Sequence, residues 1–227
     1  MIFTNLGTSR ETAKWIPSTE LTGSESYEAK SALNNRKLNW ESIQHQIGKR
    51  YRDCTLQNYE LPTDAHKKAA ETVREYQLAM NGETDFGNLV IVGPTGGGKD
   101  HLMTAVMRYA TFHLGLNPAW CDGQMLFASI RDAYTNHESE SDLLKKSSRA
   151  DILAISDPLP NGDLSEHQKN ILGMVLDARD RAMLPTLATV NVPSREALYS
   201  QLGERTADRL CHGAAFVVCN WQSYRTK

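Results

Sequence analysis

The sequence predicts an α/β protein: one parallel sheet of five strands with helices on both faces, preceded by a mostly polar N-terminal segment. Three observations predict it. Short apolar, β-branched runs recur along the chain and alternate with amphipathic helical patterns, the signature of strand–helix–strand units. The first such run breaks into a glycine-rich turn and passes directly into a helix. The 227 residues, 40% hydrophobic and 23% charged, suffice for one core of this kind and leave an appendage rather than a second compact domain.

Residues 1–50 carry Ser, Thr and Asn clusters and scattered apolar anchors such as Trp15, Ile16, Leu38 and Trp40. Such a segment buries little by itself and is expected to be partly disordered. Its second half is basic, with Lys30, Arg36, Lys37, Lys49, Arg50 and Arg52 against Glu28 and Glu41, which fits a partner surface, a nucleic-acid contact or a solvated face. The second unit, 51–227, opens with a compact linker from Tyr51 to Tyr59. Asp64 can cap a helix to Met80 that puts Ala65, Ala69, Val73 and Tyr76 on one face, and Asn81-Gly82 stops it.

Leu89 to Val92 is the first buried strand, and a helix from Lys99 to about His113 follows the turn, with Gly115 as its stop. Pro118 to Cys121 is the second strand and Gln124 to Tyr134 another helix; Thr135 to Ser148 is a charged loop leading into a short helix. Asp151 to Pro158 is the third strand, and the helix from Ser165 to Met183 turns Ile171, Leu172, Val175 and Leu176 inward. Pro185 to Asn191 is the fourth strand, Ser194 caps a helix, and Ala214 to Cys219 is the fifth. In such sheets ligands bind beyond the carboxyl ends of the strands, where Lys99, Asp157 and Asn191 fall.

The turn Gly93-Pro-Thr-Gly-Gly-Gly98 followed by Lys99 matches G-x-x-x-x-G-K-[ST] up to its last position. Glycines let successive N–H groups converge on one anion, the helix N-terminus adds partial positive charge, and Lys99 reaches the β- and γ-phosphates. Gly93, Pro94, Thr95, Gly96, Gly97, Gly98, Lys99, Asp100 and His101 are therefore the candidate nucleotide-binding residues. Asp100 replaces the hydroxyl that touches Mg²⁺, and its carboxylate either holds the metal through water or repels the phosphates.

A second strand of such a site ends in an acid that holds Mg²⁺, commonly followed by another that orients the attacking water. Aligned by its hydrophobic run, Ile152 to Asp157 puts Ser156 at the metal position and Asp157 at the water-activating one, so Asp157 and Asp100 are the metal candidates; Asp157-Pro158 also reads as a simple turn. Asn191 is placed to hydrogen-bond the γ-phosphate or its water. Arg205 and Arg209, four apart on one helical face, either reach a phosphate on a neighbouring subunit or pair with Glu204 and Asp208.

Other classes are excluded or disfavoured. The net charge of −2 argues against coating nucleic acid by bulk charge, though a local basic surface is compatible with it. Cys54, Cys121, Cys211 and Cys219 form no C-x-x-C pair or zinc spacing and read as reduced thiols. No apolar run approaches the roughly 18 residues that span a bilayer, and no secretory leader pattern is seen, so a cytoplasmic protein without membrane partners is expected. A small-molecule kinase is disfavoured by the paired arginines and the lack of an acceptor-binding segment.

The phosphate loop to Leu102, Ala150 to Ile155, Pro185 to Asn191, Leu202-Gly-Glu-Arg-Thr-Ala-Asp-Arg-Leu210 and Asn220-Trp-Gln-Ser-Tyr-Arg225 together resemble, in order and spacing, the replicative helicase loaders of the DnaC type. The insertion-sequence transposition helper ATPases (IstB-like) share much of this pattern. The resemblance covers residues 51 to 225. It implies an AAA+ P-loop ATPase core that binds Mg-ATP between subunits of a homo-oligomer, contacts single-stranded DNA and holds a hexameric replicative helicase through its N-terminal segment. In that picture Asn191 is the first sensor, Arg209 the arginine finger with Arg205 second, and the linker from Tyr51 to Tyr59 lies near adenine. The helix from Gln124 and the charged loop, with Lys145, Lys146 and Arg149, face DNA. Asp100 and Ser156 depart from the family pattern at both metal positions, so nucleotide binding is implied more directly than hydrolysis. No full C-terminal helical lid is expected.

Overall fold

The structure, a computed structural model, describes residues 2–3, 15–16, 23–82, 86–123, 125–128, 149–159 and 164–224. Two-residue strands β1 (Ile2–Phe3) and β2 (Trp15–Ile16) pair antiparallel. The central sheet contains β3 (Leu89–Val92), β4 (Pro118–Asp122), β5 (Ile152–Ser156), β6 (Thr186–Val190) and β7 (Ala215–Val218) in the order β4-β5-β6-β3-β7, all neighbours parallel. The helices are α1 (Gly23–Ile47), α2 (Asp64–Met80), α3 (Lys99–Tyr109), α4 (Glu166–Arg181), α5 (Arg195–Leu202) and α6 (Glu204–Cys211).

Side-chain alternation along β3 divides the interior into two layers. Leu89 and Ile91 join α1, α2 and α3 through Trp40, Val73, Leu102 and Val106, while Val90 and Val92 face α4, α5 and α6 through Leu172, Leu198 and Leu210. All four β3 side chains are fully buried, as a central parallel strand covered on both faces requires.

Most helix ends follow local chemistry. Ser165 and Gln168 form a reciprocal capping box at the start of α4, and Ser194 Oγ accepts from the Ala197 N–H at the start of α5. Helix α3 runs on into a single π turn, Ala110–Leu114, closed by Gly115 at φ 72°. Thr63 rather than Asp64 is the N-terminal flanking residue of α2; it makes no side-chain cap bond, and its Oγ1 contacts His66 Nδ1 at 2.6 Å instead. The helix expected to run through Leu202 to Leu210 is broken at Gly203, whose φ of 79° and ψ of 150° end α5 and start α6.

The largest addition to the sequence reading is α1. Its composition predicts little burial, yet Ala29, Arg36, Trp40, Ile43 and Ile47 form a buried stripe at helical spacing, and Trp40, Ile43 and Ile47 enter the same cluster as Leu89 and Leu102. At the opposite end of the sheet from the phosphate loop, the fully buried Arg179 of α4 donates to Thr186 Oγ1 (3.1 Å) and to the carbonyls of Ala150 (3.0 Å) and Pro185 (2.8 Å), tying α4 to the entries of β5 and β6.

Candidate functional site

Because β3 lies between β6 and β7, the loop leaving it is flanked by the ends of both neighbours. Glycine is required at its first position. Gly93 has φ 148°, and a Cβ there would lie 2.2 Å from the Cys219 carbonyl oxygen beyond β7. Gly98, immediately before α3, has φ 83° and packs against the Tyr59 ring.

Lys99, first in α3, is buried and folds back across the loop. Its Nζ donates to the carbonyls of Gly93 (2.9 Å) and Pro94 (2.8 Å) and to Asn191 Oδ1 (2.7 Å). Asn191 Nδ2 then donates to Asp157 Oδ2 at 2.6 Å. A lysine on one side and a carboxylate on the other set the amide's orientation, since the ammonium has no acceptor and the carboxylate no proton to give. Asp157 takes φ 49°, a left-handed conformation that aspartate tolerates. Its Oδ1 is buried and has no hydrogen-bond partner among the described residues. Desolvation raises the Asp157 carboxyl above its ordinary value; Lys99 opposes the rise, and Asp100 and Asp122 add to it.

Asp100, one residue further along α3, points to the strand ends. Its Oδ1 accepts from Ser156 Oγ at 3.0 Å and from Thr189 Oγ1 at 2.8 Å. Ser156 and Thr189 are register partners on β5 and β6, so the sheet sets their two hydroxyls side by side. A cavity of about 160 Å³ opens over these groups, lined by Tyr51, Thr95 to Asp100, Asp157, Thr189 and Asn191.

Residues 28–227 match the family described as IstB-like ATP binding protein. The chain belongs to this family.

A relative, the replicative helicase loader DnaC of Buchnera aphidicola subsp. Baizongia pistaciae (strain Bp), is 29% identical over 198 residues, covering 85% of this chain and 78% of the relative. The crystal structure of the DnaC helicase loader superposes with a TM-score of 0.66 at 21% identity, over 75% of this chain and 99% of that one. AMPPCP-bound DnaA from Aquifex aeolicus superposes with a TM-score of 0.61 at 16% identity, over 75% of this chain and 51% of that one. The five-stranded parallel sheet is thus that of the AAA+ P-loop nucleoside triphosphatases.

In this IstB-like chain the structure brings Lys99, Asp100, Asp157 and Asn191 around one cavity with Thr95, Gly96, Gly97 and Gly98, whereas Gly93 and Pro94 do not line it and offer their carbonyls to Lys99 Nζ instead. His101 does not line it: its Nε2 contacts the Thr55 carbonyl at 2.9 Å and its ring meets the edge of Tyr59, so it fastens the linker to α3. Arg205 and Arg209 also lie apart from it. Both are paired to Asp177 of α4, Arg209 through Nε to Oδ1 and Arg205 through Nη2 to Oδ2 at 3.5 Å, and neither pairs with Glu204 or Asp208 among the described residues. Lys145 and Lys146, the loop 135–148 and Arg225 lie outside the described residues, as does most of the helix expected from Gln124; residues 125–128 are helical, and Arg149 is exposed.

Two contributions were not read from the sequence. Thr189 is a hydroxyl in an otherwise apolar strand end, and that placement was the available signal. The segment after β7 crosses the phosphate loop: Trp221 Nε1 donates to the Gly97 carbonyl and the Tyr224 N–H to the Gly96 carbonyl, both at 3.0 Å, and Trp221 stacks on His66. Two aromatic residues in a polar tail were its signal. Cys54, Cys121, Cys211 and Cys219 are free, and burial pushes the Cys219 thiol up to about 12, so it stays protonated. No helix among the described residues is long and apolar enough to cross a membrane.

Proposed function

We propose that this chain is an ATP-binding helicase loader that binds single-stranded DNA and delivers a hexameric replicative helicase during DNA replication. The observation that carries the nucleotide part is Lys99 held across the Gly93–Gly98 loop by Asn191, with Asp157 behind it, at the carboxyl edge of a parallel sheet. The helicase part is supported by relatives named replicative helicase loaders.

In this reading the loop N–H groups and α3 cradle the triphosphate, and Lys99 exchanges its carbonyl and amide partners for phosphate oxygens. Asn191, released from Lys99, reports the γ-phosphate to Asp157, which orients the attacking water. The buried, unpartnered Asp157 Oδ1 and the Asp100 carboxylate fit a divalent cation or its water. Bound Mg²⁺ would neutralise charge developing on the phosphate oxygens. Arg209, with Arg205 beside it, serves a neighbouring subunit of a homo-oligomer after release from Asp177. Exposed Leu33 and Leu38 on α1, with Lys30 and Lys37, offer the helicase-facing surface, and exposed Arg149 a contact for DNA phosphates.

Phosphate release from Mg-ATP, with and without single-stranded DNA, for wild type and Lys99→Ala, together with association with a replicative helicase, tests this reading. Lys99-dependent turnover that responds to DNA, and ATP-dependent association with the helicase, are expected. Failure to associate at low salt with or without ATP would sink the loader role. Two further readings have an observation each. A nucleotide-gated adaptor that does not hydrolyse is favoured by Ser156 at the strand-end position, and shows ATP binding with background turnover. A transposition helper ATPase is favoured by the IstB-like family match, and shows association with a transposase instead.

A further inference from the structure

In P-loop ATPases the cation is held by a hydroxyl immediately after the loop lysine and by an acid at the end of a second strand. This chain has the acid after the lysine, Asp100, and the hydroxyl at the strand end, Ser156. The two still meet, with Ser156 Oγ donating to Asp100 Oδ1 at 3.0 Å. We infer that acid and hydroxyl have exchanged places, so that Asp100 of the helix is the anionic ligand for the nucleotide's divalent cation and Ser156 and Thr189 orient it. The inference rests on the nucleotide-site reading above.

Three features carry the exchange beyond a coincidence of two substitutions. First, the exchange conserves the chemistry of the pair, one carboxylate and one hydroxyl in hydrogen-bond contact. An added carboxylate without a cation would instead face the triphosphate as uncompensated repulsion. Second, the carboxylate is built in: Thr189 Oγ1 donates to the same Oδ1 at 2.8 Å, and both hydroxyl residues are buried on adjacent strands in register. Third, both donors converge on Oδ1; among the described residues Oδ2 accepts no hydrogen bond, while Asp100 lines the same cavity as Lys99 and Gly96 to Gly98. Orienting hydroxyls behind a ligand carboxylate are the usual second layer of a metal site. Asp157, next after Ser156, keeps its own Oδ1 for water and is not required to serve two roles.

The test is ATP affinity of the full chain by titration calorimetry, in Mg²⁺ and in EDTA, for wild type, Asp100→Asn, Asp100→Thr, Ser156→Asp and the exchange double variant Asp100→Thr/Ser156→Asp. Asp100→Asn keeps an oxygen for Ser156 and Thr189 to donate to, and so separates loss of charge from loss of fold. Mg²⁺ is expected to tighten wild-type binding by about tenfold or more, to do nothing for Asp100→Asn or Asp100→Thr, and to regain its effect in the double variant; Thr189→Val weakens the metal effect by about tenfold. Wild-type binding that is equal in Mg²⁺ and EDTA overturns the exchange alone. So does a metal effect undiminished in Asp100→Asn, or a double variant no better than Asp100→Thr. Wild type that binds no ATP in either buffer overturns the nucleotide site as well.

Discussion

Asp157 is held in a left-handed conformation with one buried oxygen unpaired among the described residues, and both features cost folding free energy. Its carboxyl is raised in the folded chain, chiefly by desolvation, so the folded state binds this proton more tightly than the unfolded one. The sign follows: Asp157 weakens the fold as pH rises through and above the ordinary carboxylate range, and the penalty disappears in acid, where it is protonated. Asp157→Asn removes the charge, keeps an acceptor for Asn191 and suits positive φ. The variant is expected to melt above wild type at neutral pH, with the gap closing in acid on a calorimetric scan. Its turnover is expected to fall by about 10²-fold or more in a phosphate-release assay, if Asp157 orients the water. At this scale Lys99, Asp100, Asp157 and Asn191 were legible because each follows an apolar run at a strand or loop end. Thr189 was not, since a threonine is ordinary in a strand and only the register with Ser156 gives it a role.

Elements owe their positions to a few contacts that neither propensity nor periodicity reveals. Among the described residues Arg179 donates to Thr186 on β6 and to the carbonyls of Ala150 and Pro185 just before β5 and β6, and it has no exposure, so Arg179→Ala leaves these acceptors desolvated around a cavity. A loss of about 3–5 kcal/mol in urea denaturation is expected, and Arg179→Lys recovers only part because it lacks the planar fork. Helix α1 depends on Trp40, which is 3% exposed, packs by Phe112 and lies under the Arg108 guanidinium. Trp40→Ala is expected to cost about 3–5 kcal/mol in the same measurement. Trp40→Phe costs far less, because the indole N–H it removes is buried without a partner among the described residues. The helical stripe at 29, 36, 40, 43 and 47 was present in the sequence, but Arg36 interrupts it and the surrounding polarity masks it. Arg36 is buried because its guanidinium reaches the Phe112 carbonyl at 2.9 Å, a contact 76 residues away.

Among the described residues the cavity over the Gly96–Gly98 turn lies at the sheet edge, and the arginine pair on α6, joined to Asp177, lies apart from it. An arginine away from its own phosphate loop has catalytic meaning only in an assembly, where it reaches the next subunit. Arg209→Ala is therefore expected to bind ATP as wild type does and to lose turnover. Mixed one-to-one with Lys99→Ala, it should recover activity, because about one interface in four then joins an intact Lys99 to an intact Arg209 in a head-to-tail ring. Phosphate release from the mixture, against each variant alone, checks this. Absence of recovery would leave Arg209 and Arg205 as partners of Asp177 that brace α6 on α4.

By itself the sequence determined the α/β class, the order of the five central strands along the chain, the phosphate loop and most of the groups around it. These are encoded locally: an apolar run of strand length, a glycine where φ must be positive, a lysine after the turn, a serine before a helix. Only the tertiary structure decided that α1 belongs to the core, that the tail from Cys219 to Tyr224 straps the phosphate loop, and that Asp177 holds both arginines. It also decided that Ser156 and Thr189 converge on Asp100. Each of these depends on which strands become neighbours, and the order β4-β5-β6-β3-β7 is settled by burial of both sheet faces rather than by any stretch of sequence.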